Sequence, residues 1–157
     1  MKASRIIRRA MTFHFLNYQD KHDPNYGRAI STENELFAVL DHARQASPFV
    51  AELCGASDFH ITIGIGRDVG CVQYGRVDGM PPYLMAMSRR PPMKRGCVEF
   101  LCGNTPTPVA ARYILSSEEL REIALHFIRT GERSDSVSWQ ELNPKACKED
   151  AERPPDA

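Results

Sequence analysis

The stretch FHITIGIGRDVGCVQYG, residues 59–75, constrains the fold more than any other part of the chain. Phe59, Ile61, Ile63 and Ile65 fall on one side of an extended backbone, and His60, Thr62 and the glycines fall on the other. That period of two is the pattern of a strand with one buried face. Gly66, Arg67 and Asp68 turn the chain back into residues 69–75, and Asp78-Gly79 marks a second reversal into PYLMAMS at 82–88. Strands joined this tightly pair antiparallel. MTFHFL (11–16), PFVAELC (48–54) and CVEFLCG (97–103) supply further strands, and the prolines at 106 and 108 restrict their own segment to an edge strand or loop.

Two segments carry the helical period instead. In STENELFAVLDHARQA, Thr32 and Glu35 have the spacing of a capping box, and Leu36, Val39, Leu40 and Ala43 form an apolar stripe. Ser116 and Glu119 repeat that box ahead of Leu120, Ile123, Ala124, Phe127 and Ile128. Gly131 is placed to take the left-handed residue that ends this second helix, with Arg129 in the last turn. From Ser136 to Leu142, Val137 and Trp139 alternate with polar residues, as in a short returning strand. Trp139 is expected to be largely buried near Phe127 or Ile123, with Glu132 or Arg133 bracing the turn.

The order of these elements predicts one α+β domain over residues 11–142, with a mainly antiparallel sheet of about six to eight strands and two principal helices packed to one side. Residues 1–10 read as a basic, poorly ordered start, and residues 143–157, which offer no periodic apolar face, read as a disordered tail whose removal should be mild.

A formal net charge of zero hides a division. Residues 1–19 hold four cations and no acid, whereas residues 20–143 hold 16 acidic and 13 basic side chains. This mildly acidic body is a poor match to nucleic acid. RRPPMKR (89–95) is the local exception; it lacks interleaved aromatics and reads as a solvated loop. No apolar run is long enough to span a membrane, and the basic start lacks the apolar core of a secretory signal. Five cysteines without a C-x-x-C pair point to reduced thiols in a cytoplasm rather than to a disulfide framework or zinc site.

The five histidines form no zinc-hydrolase or zinc-deaminase motif, and neither a nucleophile elbow nor a phosphate-binding loop is present. No cofactor, metal or catalytic residue is therefore assigned. A binding protein is the expectation.

Three blocks in this order, YGRAISTENELFAVLDHAR, ITIGIGRDVGCVQYG and VEFLCGNTPTPVAARYILSSEELREIALHFIRTGERSDSVSWQEL, resemble immunity protein family 1 of bacterial polymorphic toxin systems. The resemblance covers roughly residues 26–142 and is most specific in its last block, where Thr130, Gly131, Glu132, Arg133 and Trp139 sit at the family's spacing. Ser134 stands where that family often has proline. The resemblance implies a non-enzymatic antidote that binds a cognate toxin domain, deaminase-like or a nuclease, and blocks its active site. It would act as a monomer or weak homodimer, with neither membrane nor direct nucleic-acid contact. Exposed turns are the expected contacts: Arg67 and Asp68 in one, Asp78 with Tyr83 around the other. The rival reading is a small enzyme or ligand-binding domain with a pocket near His60 and Cys71.

Overall fold

The computed structural model describes residues 11–90 and 96–152. The expected N-terminal segment 1–10 and most of the basic loop at 89–95 lie outside the described residues. In chain order the elements are β1 (Phe13–Asn17), β2 (Arg28–Ile30), α1 (Glu33–Ala43), β3 (Phe49–Cys54), β4 (Phe59–Ile65), β5 (Val69–Arg76) and β6 (Leu84–Met87). The second half holds β7 (Cys97–Cys102), β8 (Thr105–Ala110), a short 3-10 turn (Ala111–Tyr113), β9 (Leu115–Ser116), α2 (Ser117–Thr130), β10 (Ser138–Glu141) and α3 (Ala146–Glu152).

The sheet runs β10-β6-β5-β4-β3-β1-β2, with β7 attached to β3, β8 to β7 and β9 to β5. Every pairing is antiparallel except a single parallel contact of Phe49 with Leu101. Ten strands form among the described residues, because the short β2 and β9 and the proline-bearing β8 all join. β8 pairs only with β7, as Pro106 and Pro108 require of an edge.

The alternation along β4 divides the molecule into two layers. Ile61, Ile63 and Ile65 face α1 and α2 in a core that also holds Phe13, Phe15, Leu53, Val72, Leu120 and Phe127. Both helices begin at their capping boxes, Thr32 with Glu35 and Ser116 with Glu119. α2 ends at Gly131, whose φ of 72° is left-handed and whose N–H donates to the Phe127 carbonyl at 2.7 Å. A Cβ there would meet the Met11 side chain at 2.8 Å, so glycine answers both to the turn and to crowding.

The opposite face carries a second, smaller core of Val50, Cys71, Met85, Phe100, Ala110, Tyr113 and Ala146, built by the β7–β8 hairpin and α3. α3 corrects the reading of 143–157 as a disordered tail over the part that is described. Asp150 is buried and its carboxylate accepts from Arg112 Nε at 3.0 Å, from Nη2 at 2.6 Å and from the Arg112 backbone N–H at 3.0 Å. Cys147 is joined to Cys97 of β7, their Cα atoms 5.5 Å apart, which corrects the expectation that all thiols are reduced. One short helix with a single buried aliphatic residue has no periodic apolar face. Its anchors are polar and covalent, so hydrophobic pattern cannot reveal them.

Glu119 does more than close its capping box. Its carboxylate also accepts from Ser88 Oγ at 2.7 Å and from the Arg89 N–H at 3.0 Å, tying the end of β6 to the start of α2. Burial pushes this carboxyl up, but those donors together with Ser116 outweigh burial and hold it below its ordinary 4.5. A depressed folded value means that the stabilisation is complete above the ordinary value and is lost as pH falls through the folded one. The melting temperature should therefore stay level down to about pH 4.5 and drop below it. Glu119→Gln should flatten part of that drop; a wild-type melting temperature that rises on acidification would contradict the assignment.

Candidate functional site

The two turns singled out in the sequence lie at opposite ends of β5, whose eight residues span roughly 26 Å. The structure does not bring the four residues together. At one end, the Arg67 carbonyl accepts from Arg44 Nε at 2.6 Å, the Asp68 carboxylate lies 3.7 Å from the Arg44 guanidinium, and the Asp68 carbonyl accepts from the Ser117 N–H at 3.2 Å. That turn holds the end of α1 to the start of α2, although the Asp68 side chain itself is 84% exposed.

At the other end, Asp78 accepts from Arg76 Nη2 at 2.6 Å and Nε at 3.1 Å, and from the Met80 N–H at 3.0 Å. The Arg76 side chain and the Met80 N–H hold the Asp78 carboxyl below the usual range. Tyr83 Oη donates to the Gly79 carbonyl at 2.6 Å, which closes the turn. Around this polar frame the apolar side chains point outward: Val77 is 59% exposed, Met80 58% and Tyr83 44%. Among the described residues the other exposed large apolar side chains are Tyr18, Tyr26 and Leu142, so half of that set gathers at this one turn.

Beside this turn the back face of the sheet stays partly open. The register Met85–Gln73–Thr62–Glu52–Leu16 forms one cross-strand row, and His60 beside Gly75, with Cys54 beside His14, forms the next. The β7–β8 hairpin packs on the far rows, where Phe100 lies so close that a Cβ on Gly64 would come within 3.0 Å of its ring, and hairpin residues 107–110 share a cavity with Thr62, Gln73 and Met85. On the open part, Glu52 Oε1 accepts from His60 Nδ1 at 2.6 Å and Oε2 accepts from Tyr18 Oη at 2.6 Å. The His60 hydrogen bond is the main cause that holds the Glu52 carboxyl below its ordinary value, against burial. Burial and the neighbouring carboxylate push the Tyr18 phenol up. Only His60 of this group stands out from sequence. The signal for Glu52 is a charge at the alternate position of an otherwise apolar strand; Tyr18 lies in a loop and gives none.

Cys71 belongs to a different environment. It is buried in the second core and its thiol is pushed up to about 12 by burial, so it supplies no thiolate near neutral pH. It pairs with Gly64, four positions along β4 from His60, or roughly 13 Å. A cavity of about 360 Å³ does lie over Cys71, between the sheet, β8 and the chain around α3, but none of its lining residues is charged. His60 is not among them. The cavity over Cys71 thus reaches Thr62 and Gln73, the row next to His60, and His60 borders it without lining it.

The closing block is a structural clip. Thr130 Oγ1 donates to the His126 carbonyl at 2.8 Å and accepts from the Glu132 N–H at 3.1 Å. The Gly131 carbonyl accepts from Ser57 Oγ at 2.8 Å. Ser134 is buried; its hydroxyl accepts from the Ser136 N–H at 3.1 Å, and its carbonyl accepts from Trp139 Nε1 at 2.8 Å. This serine makes its own turn where proline would impose one. Trp139 is half-buried, with Tyr74 as its ring neighbour at 5.9 Å, and Tyr74 in turn meets Phe127 at 6.4 Å. The expected burial against Phe127 is therefore indirect, with Tyr74 between. The side chains of Glu132 and Arg133 are exposed.

The family model described as Immunity protein Imm1 matches residues 25–141. The chain belongs to the Imm1 immunity protein family. The Imm1 match takes in both turns, the Glu52–His60 pair and the whole clip through Trp139. It leaves β1 and α3 outside, although β1 lies in the sheet against β3 and α3 closes the second core. No curated protein matches the chain. No described helix is long and apolar enough to cross a membrane.

Proposed function

We propose that the chain is a non-enzymatic antidote that binds a cognate toxin domain, deaminase-like or a nuclease, and occludes its active site in the cytoplasm of the producing cell. Membership of the Imm1 family carries this reading. It gains support from the chemistry of the candidate centres: a Cys71 thiol without nucleophilic character and a cavity without charged lining offer little to a catalyst. The turn with Asp78 and Tyr83 is the proposed anchor, because Val77 and Met80 are exposed beside it. Arg67 and Asp68, at the far end of β5, are proposed as peripheral charges that tune association rate more than affinity. Since Asp78 is committed to Arg76, its role is to shape the turn rather than to present a free charge.

Co-expression with the toxin domain encoded by the neighbouring gene should keep cells alive only when this chain is present, and the two should co-purify as one complex of single copies. Tyr83→Ala together with Met80→Ala should weaken that complex by roughly 2–4 kcal/mol, the scale of central anchor residues. Protection without any detectable complex would overturn occlusion.

A further inference from the structure

We infer that the open part of the sheet's back face, centred on His60, receives a cationic hydrogen-bond donor of the toxin; this rests on the immunity reading. A carboxylate accepts only, so the ionised Glu52 fixes the proton of the His60–Glu52 bond on Nδ1. The ring edge away from Glu52 is then Nε2, which lies over Gly75 and accepts a hydrogen bond while the ring carries a single proton. Gly75 keeps that edge clear, since a Cβ there would lie 3.2 Å from Nε2. A half-buried carboxylate held by two donors adds little net stability over well-packed apolar residues. Its clear consequence is orientation: one tautomer, one ring position and a negative charge behind it.

The surroundings have the same sign. Asp58 and Asp78 line one shallow notch at the β5–β6 end of the sheet, and its one cation, Arg76, is paired with Asp78. The Val77 N–H donates to the Asp58 carbonyl at 2.9 Å, which binds this notch to the apolar turn. Thr62 and Gln73 continue the half-exposed polar surface toward Met85. A partner seated on Val77, Met80 and Tyr83 would thus place an arginine or lysine beside His60, where excess negative charge and an oriented acceptor meet it.

The test measures the affinity of the full chain for a catalytically inactivated toxin domain from the neighbouring gene, by calorimetry. Gln73→Arg, which brings a cation into the middle of the surface without touching the Glu52–His60 bond, should weaken binding by about 10-fold or more. His60→Phe should do the same, and Glu52→Gln, which keeps the shape and removes the charge, should weaken it severalfold. Asn34→Arg, on an exposed position of α1 in the helical layer, should leave the affinity unchanged. Where His60→Phe fails to fold, Gln73→Arg decides. Wild-type binding with no loss in Gln73→Arg overturns this surface while the immunity reading stands; unchanged affinity in Glu52→Gln overturns the cationic donor. Absence of wild-type binding overturns the immunity reading and this inference with it.

Discussion

A chain ended after Asn143 should melt at least roughly 10 °C lower than the full protein under oxidising conditions. The cut removes α3 and with it the Cys97–Cys147 link, which closes a separation of 50 residues and in the loop-entropy account stabilises by roughly 4 kcal/mol. It also strands Arg112, whose side chain is only 20% exposed and which Asp150 and Glu149 otherwise neutralise. Breaking one side of such a pair costs on the order of 3–5 kcal/mol when both partners are buried, and less here because Glu149 is half-exposed. Two point variants separate the contributions. Cys97→Ser should account for the part that added reductant also removes, and Asp150→Asn for the part that reductant leaves. An unchanged melting temperature after truncation would restore the disordered-tail reading.

Phe127→Ala should destabilise by about 3–5 kcal/mol, a large share of the roughly 5–15 kcal/mol that holds such a domain together. Phe127 is fully buried, with the Phe13 ring 4.7 Å away and Tyr74 edge-on at 6.4 Å, so truncation leaves a cavity at the centre of the main core. Trp139→Ala should cost less, about 1–3 kcal/mol, although tryptophan is the larger residue. It sits on β10, the edge of the sheet, is half-buried, and loses one hydrogen bond to Ser134 together with its contact to Tyr74. Urea denaturation of both variants checks the order. A larger loss in Trp139→Ala would mean that the clip, not the α2 seam, secures the last helix.

The features legible in the chain were those that depend on near neighbours. The β4–β5 hairpin arises from alternation over residues 59–75, and both helices start at boxes that can be read from a serine or threonine and a glutamate three positions on. Gly131 as the stop of α2 is equally local, since its left-handed conformation is a demand of one turn. The family-specific block at 130–139 was legible for a related reason: its hydrogen bonds from Thr130, Ser134 and Trp139 all close within five residues.

The candidate site was less so. Asp78 and Tyr83 were identifiable as turn residues, but the exposure of Val77 and Met80 beside them depends on which side of the turn the sheet occupies. The amino-acid sequence by itself determined α1, α2, the longer central strands with their buried face, and the family, because each is written in spacings shorter than a helix or a hairpin. Only the tertiary structure decided that Glu52 meets Tyr18 across 34 positions and that Cys97 meets Cys147 across 50. Those contacts join segments that no local period relates. Their energies come from desolvated charge and covalent closure, which leave no repeating pattern along the chain.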